Sequence, residues 1–206
     1  MTMTMMIATL PARHVPERDA KPLRLGHPAQ GVVVLGVLLV AVALDQLSKQ
    51  WALQALAGGR QIPLVPTVRL ELFLNPGVAF GIGADVGAPL VIGLIVVVSA
   101  LVAWLCLRVI HRASLKGTVL LAVAAGGGIG NLLDRILRAD HGPLTGRVVD
   151  FIAVDWFAVF NVADIFTTCG IALWALTQLH TPTAITSHGI SPRGRMGPAR
   201  KGTLGS

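Results

Sequence analysis

Four stretches of this sequence are apolar over roughly 20 residues each, the length a helix needs to cross the hydrocarbon of a bilayer. They run from about Gly31 to Leu53, Gly87 to Leu107, Thr118 to Leu137 and Phe157 to Leu179. In hydrocarbon every backbone N–H and C=O must find its partner inside the chain, so stretches of this kind fold as helices. Composition agrees with that constraint. Of the 206 residues, 53% are hydrophobic and 13% are charged, where an ordinary soluble domain carries about 25% charge. The mean hydropathy is +0.71. These values argue against a disordered chain and against a water-soluble globule. The first stretch opens with "GVVVLGVLLVAVAL" behind a basic segment, as a signal-peptide core would. No small-x-small cleavage site precedes a soluble domain, so it reads as a retained helix.

The segments between the spans differ in character. Residues 1–29 are polar, with Pro11, Pro16, Pro22 and Pro28 among the cations, and read as a flexible cytoplasmic tail. Residues 181–206 are rich in Gly, Pro, Ser, Thr and Arg and read as a disordered basic tail. The membrane domain is then residues 30–180. Within it, residues 58–86 are rich in Gly and Pro, and "TVRLELFL" alternates as a strand does, which predicts a small strand-rich element outside the helices. Residues 138–156 are expected to be a connecting loop. The fold class is an all-α membrane protein with four transmembrane helices, a small extracytoplasmic β-sheet and disordered basic tails.

Charge sets the orientation. The net charge is +7, and the cations cluster at the ends of apolar blocks. That pattern suits bilayer topology and not a nucleic-acid surface. Eleven of the 17 Lys and Arg residues lie in segments 1–29, 108–116 and 181–206. Four spans place all three segments on one side, and the positive-inside rule makes that side cytoplasmic, with both termini. Eight of the ten acidic residues lie in the other half of the molecule. Acids contribute little to topology, so chemistry is one reason for that asymmetry.

The polar residues inside this apolar frame fall into four clusters, all at the outer helix ends or outer loops. Asp45 and Lys49 are four apart and share a helix face, as a boundary ion pair or as part of a site. Asn75-Pro76-Gly77 reads as a turn, followed by Phe80. In "GGGIGNLLDR", Gly126 and Gly130 have the small-xxx-small spacing that lets helices approach closely. Asn131, Asp134 and Arg135 follow on nearly the same face. Last comes "VVDFIAVDWFAVFNVAD", with Asp150, Asp155, Asn161 and Asp164. An ionised Asp within a membrane span costs about 2.5–3.5 kcal/mol on insertion scales, so Asp164 demands a purpose more than any other residue. Asp150 and Asp155 compete as its partner.

Two carboxylates held close share a proton. The ionised one can then act as general base on a water while the protonated one polarises or protonates a scissile carbonyl. That chemistry requires no cofactor and no metal. Other routes lack their parts. There is no H-E-x-x-H or serine elbow, and the six His residues are scattered. Cys106 and Cys169 sit deep in spans without a nearby base and read as apolar packing.

These motifs carry a family likeness. "DQLSK" on the first span, "NPGVAFGI" before the second, "GNLLDR" on the third, and "VVDF" with "FNVAD" entering the fourth resemble, in order and topology, the bacterial lipoprotein signal peptidases, or signal peptidase II. The resemblance covers about residues 31–180. It implies a four-helix aspartic protease of the bacterial inner membrane, with its site toward the extracytoplasmic face. The implied substrates are diacylglyceryl-modified prolipoproteins, met among membrane lipids and cleaved before the lipidated cysteine. It implies Asp150 and Asp164 as the catalytic pair, choosing Asp150 over Asp155 and Asp134. Asp45, Lys49, Asn75, Gly77, Phe80, Asn131, Asp134, Arg135 and Asn161 become the substrate-binding or supporting residues. A small transporter is the rival class, but its path would need polar residues at several depths. A non-catalytic scaffold would leave Asp164 costly without purpose.

Overall fold

The computed structural model describes residues 27–77, 83, 85–139, 142 and 144–179. Phe80, the tail at 181–206 and all but the last three residues of the tail at 1–29 lie outside the described residues.

Four helices make the body: α1 (His27–Ala55), α2 (Ala88–Ile110), α3 (Leu115–Leu137) and α4 (Val162–Leu179). All four are long and apolar enough to cross a membrane, as expected. Their polarity is inverted relative to a soluble protein. Leu35, Leu39, Val96, Val97 and Leu173 face outward, while Asp45, Lys49, Thr118 and Asp134 are 0% exposed. The bilayer is the solvent for the outward faces, and polar groups retreat to the interior.

Helix α3 is the central element and packs against α1, α2 and α4. Half of its span (50%) is buried, against 17% or less for each of the others. Its glycines make this possible. A Cβ at Gly126 would stand 2.6 Å from Ala41 Cβ on α1, and one at Gly127 would stand 3.1 Å from the Thr167 nitrogen on α4. Without side chains at these positions the backbones approach closely and gain dispersion contacts, the main attraction available between helices in lipid.

A three-stranded antiparallel sheet, β1 (Ile62–Val65), β2 (Val68–Asn75) and β3 (Val148–Val154), lies in that order at one end of the bundle. Residues Val149 and Phe151 of β3 pack with Ala52 and Leu56 from the end of α1, with Leu70 and Leu72 against them. The first two strands fall in the predicted element. The third corrects the expectation of a loop at 138–156. Its residues 148–151 are all buried, on both faces of the strand, so they lack the alternation that marks a one-sided strand.

The start of the fourth span is corrected as well, from Phe157 to Val162. The residues before it fold back on β3 instead of joining the helix. Phe160 N–H donates to the Ile152 carbonyl at 3.0 Å, and Ile152 N–H returns the bond at 2.8 Å. Cys106 and Cys169 are exposed on their helices and not packed into the core.

Candidate active site

The return from β3 into α4 ends in a helix cap that defines the site. Asn161 precedes the helix, and Asp164 is its third residue. Asn161 N–H donates to Asp164 Oδ2 at 3.1 Å, and Asp164 N–H donates to Asn161 Oδ1 at 3.1 Å. This reciprocal exchange satisfies amides that a helix start leaves unpaired, and the positive end of the helix dipole favours a carboxylate there. The cap thus fixes Asp164 in the first turn of α4, through an asparagine that also contacts β3.

Asp150 comes from the neighbouring strand. It pairs with Phe73 across the ladder, and Asn75 two residues on donates through Nδ2 to Asp150 Oδ2 at 2.9 Å. Asn161 Nδ2 donates to Asp150 Oδ1 at 2.6 Å. One asparagine therefore touches both carboxylates, by its side chain and by its backbone. Burial pushes the Asp150 carboxyl up to about 6. The Asn75 hydrogen bond opposes that rise, the Asp164 charge adds to it, and Asn161 and Lys49 oppose it.

Asn131 on α3 joins the group from below. Its Nδ2 donates to Asp164 Oδ1 at 2.8 Å, and its Oδ1 accepts from Asn161 Nδ2 at 3.0 Å and from Lys49 Nζ at 2.8 Å. Lys49 also pairs with Asp45 and Asp134, each at 2.9 Å. All three of its donors are used, which is how a lysine with no exposed surface keeps its charge partnered. Asp45 Oδ1 accepts from the Ala163 N–H at 3.0 Å, tying α1 to the first turn of α4. Asp134 Oδ2 accepts from Val149 N–H at 3.2 Å, tying α3 to β3.

Arg135 reaches the turn after β2. Its Nη1 donates to the Pro76 carbonyl at 3.2 Å and its Nη2 to the Gly77 carbonyl. Asn75 Oδ1 accepts from Gly77 N–H at 2.9 Å, closing the same turn from the other side.

A cavity of about 590 Å³ opens beside the two aspartates, and Asn75, Gly77, Asn131, Arg135, Asp150 and Asp164 line it. The remainder of its wall is largely apolar, from α2, α3 and α4, including Val97, Leu101 and Ile171. Asp45, Lys49, Asp134 and Asn161 stand behind this wall. Asp155, the competing carboxylate, is half-exposed and pairs with Arg69. Among the described residues, no three His, Cys, Asp or Glu side chains gather as metal ligands would.

Two residues were not anticipated. Gln46 Nε2 donates to the Gly130 carbonyl at 3.0 Å, to Asp45 Oδ2 at 3.1 Å and to Asp134 Oδ1 at 3.3 Å. A polar residue beside Asp45 in an apolar helix was the available signal. Arg138, expected in a loop beyond the motif, caps α3 and pairs with Asp134 at 2.9 Å.

Comparison with known proteins is direct. The family model described as signal peptidase (SPase) II matches residues 37–180. The chain is 43% identical over 148 residues to a lipoprotein signal peptidase of Bifidobacterium adolescentis, covering 71% of this chain and 76% of that protein. It is 36% identical over 168 residues to a lipoprotein signal peptidase of Mycobacterium tuberculosis, covering 80% and 76%. A solved structure described as a bacterial membrane enzyme, determined by the in meso method at 2.3 Å, superposes with a TM-score of 0.59 and 26% identity. That superposition covers 72% of this chain and 88% of the other.

Proposed function

This chain belongs to the signal peptidase II family, and on that footing we propose that Asp150 and Asp164 are its catalytic pair. It is a multi-pass bacterial membrane protein and an aspartic endopeptidase that removes signal peptides from prolipoproteins. The observation that carries the residue assignment is the double contact of Asn161, 2.6 Å to Asp150 and 3.1 Å to Asp164, at the wall of one cavity.

The roles divide by environment. Asp164 lies in the first turn of a helix and accepts a backbone N–H, so it serves as the carboxylate that takes a proton from water. Asp150, buried and raised to about 6, holds the shared proton and gives it to the carbonyl oxygen of the scissile peptide. The water oxygen bonds to the carbonyl carbon. The tetrahedral intermediate then expels the amine: the C–N bond breaks, the amine takes the proton held by Asp164, and one hydroxyl of the intermediate returns its proton to Asp150. Asn75, Asn131 and Asn161 orient the carboxylates. Arg135 holds the 75–77 turn against the cavity.

The substrate class follows from the wall. An apolar cavity bounded by α2, α3 and α4 suits a signal helix in the membrane with lipid chains beside it. The reading is a diacylglyceryl-modified precursor cut before its lipidated cysteine, with the site toward the extracytoplasmic face and both termini cytoplasmic. The charge distribution supports that orientation.

The test is a gel-shift cleavage assay on purified protein with diacylglyceryl-modified and unmodified precursors. Asp150→Asn and Asp164→Asn should each lose several orders of magnitude of turnover, because paired groups act as a unit. Asp155→Asn should keep most of it. Near-normal turnover in a folded Asp164→Asn protein would end the assignment, and equal cleavage of the unmodified precursor would end the lipid requirement. Reporter fusions near residues 70 and 145 should both report the extracytoplasmic side.

A further inference from the structure

The cluster of Asp45, Lys49 and Asp134 stands behind the lining of the active-site cavity, and among the described residues it is fully buried. The fold goes to some length to hold it. A Cβ at Gly130 would stand 2.9 Å from Asp45 Cγ, so that position has room only for glycine. A single side chain, Asn131, separates Lys49 from Asp164.

Lys49 is the member that reaches outward, through Asn131. An ammonium has donors only, so the atom of the Asn131 amide that faces Lys49 Nζ at 2.8 Å must be the oxygen. The second donor to that oxygen, Asn161 Nδ2 at 3.0 Å, enforces the same choice. The amide nitrogen is then obliged to point the other way, and it meets Asp164 Oδ1 at 2.8 Å. Were the amide turned over, its oxygen would face the Asp164 carboxylate and its nitrogen would face an ammonium. Lys49 thus forbids the arrangement in which Asp164 would have to carry a proton to satisfy Asn131.

We propose that Lys49 is a positioning residue that locks the Asn131 amide with its N–H toward Asp164, and so keeps Asp164 as the carboxylate member of the pair. The proposal rests on the assignment of Asp150 and Asp164 as the catalytic pair. The charged groups around Lys49 and the pair are Asp45 on α1, Asp134, Arg135 and Arg138 on α3, Asp150 on β3 and Asp164 on α4. Of these, Asp45 and Asp134 face Lys49 directly, and Arg138 pairs with the far oxygen of Asp134. Asp45 also holds the Ala163 N–H, one residue before Asp164, so the cluster grips the same helix turn twice.

The experiment is the pH dependence of kcat and KM for cleavage of a lipidated precursor by wild type, Lys49→Met, Asn131→Leu and the double variant. Removing Lys49 alone strands two buried acids, so the charge-balanced variant Lys49→Met/Asp45→Asn is measured alongside as the folded comparator. The expected result is a kcat at least tenfold lower with KM within twofold, because Lys49 does not touch the cavity. The acid-side limb of the profile should move, because the Asn131 amide is then free to turn its oxygen toward Asp164. The Lys49→Met/Asn131→Leu protein should be no worse than Asn131→Leu, since one residue acts through the other. A charge-balanced variant with full kcat, or with a reduced kcat and an unmoved acid limb, overturns the proposal and leaves Lys49 a structural ion. An inactive wild type, or an active Asp164→Asn, instead overturns the catalytic assignment, so the two failures are distinct.

Discussion

Asn161 and Asp164 cap each other across the first turn of α4, each backbone N–H donating to the other's side chain at 3.1 Å. The same asparagine spends its amide nitrogen on Asp150 at 2.6 Å. One side chain therefore starts the helix and joins the two carboxylates.

That double duty makes Asn161 separable by two substitutions. Asn161→Ala loses the cap and both side-chain contacts. It should cost about 1 kcal/mol or more in stability and nearly all activity. Asn161→Asp keeps a capping oxygen but places a third carboxylate against Asp150. It should stay closer to wild type in thermal unfolding in detergent while remaining inactive. An active Asn161→Asp protein would show that the amide nitrogen is not needed between the aspartates.

Asp150 sets a pH dependence of known sign. Its carboxyl is raised from 3.8 to about 6 by burial, so the folded protein binds this proton more tightly than the unfolded chain does. The stability it supplies is complete below about 4 and is lost as pH rises through 6, by up to about 3 kcal/mol at roughly 1.4 kcal/mol per unit. Thermal unfolding followed from pH 4 to 7 should fall more steeply for wild type than for Asp150→Asn, which has nothing to titrate there. Parallel curves would mean the carboxyl is not raised. In kinetics, the alkaline limb of kcat/KM should lie near the same value, since the proton on Asp150 is the one delivered.

Much of this was legible in the sequence because bilayer length is a strong constraint. The four spans follow from it, and the alternation of "TVRLELFL" marked β2 separately. Strand β3 was not legible. Val148 to Phe151 is buried throughout, and such a run has no period by which to tell a strand from a loop or a helix end. The choice between Asp150 and Asp155 was equally closed to composition, since both follow apolar residues within one short stretch. Asp150 lies within the stretch of β3 that is covered on both faces, while Asp155 lies just past the end of the strand beside Arg69. For Asp45 and Lys49, the four-residue spacing guaranteed a shared face. It could not say that the face looks onto α3 behind the cavity.

Glycine on α3 gives a third prediction. Gly130 was read from sequence as a packing residue, but the space it leaves is filled by the Asp45 carboxylate. That carboxylate is held by Lys49, Gln46 and the Ala163 N–H, so it cannot retreat from a new methyl group. Gly130→Ala should cost about 1–3 kcal/mol, the range for overpacking a filled interior, and reduce cleavage with it. Gly93→Ala is the control, because nothing lies within 4 Å of a Cβ there and alanine favours the helix. Equal melting temperatures for the two variants in detergent would show that the α1–α3 contact yields easily.

Arg135 and Arg138 differ in what they hold, and this separates the last prediction from a simple count of charges. Arg135 is 3% exposed and spends two guanidinium nitrogens on the Pro76 and Gly77 carbonyls. Those carbonyls belong to the turn that carries Asn75, which in turn holds Asp150 at 2.9 Å. Removing Arg135 takes the guanidinium from both carbonyls and frees the turn, so Asp150 loses its fixed orientation. Arg138 is partly exposed and, among the described residues, pairs with Asp134 at 2.9 Å. Asp134 retains Lys49, Gln46 and the Val149 N–H when Arg138 is gone. Arg135→Ala should therefore lower turnover by about a hundredfold or more, in the range seen when a group that orients catalytic residues is lost. Arg138→Ala should stay within about threefold, as a partly exposed ion pair is worth roughly 0–1 kcal/mol. Arg135→Lys should not rescue, because an ammonium cannot span two carbonyls as a planar fork does. The measurement is single-turnover cleavage with folded yield as the control. Comparable losses for the two alanine variants would mean that the net charge at the end of α3 matters and the grip on the turn does not.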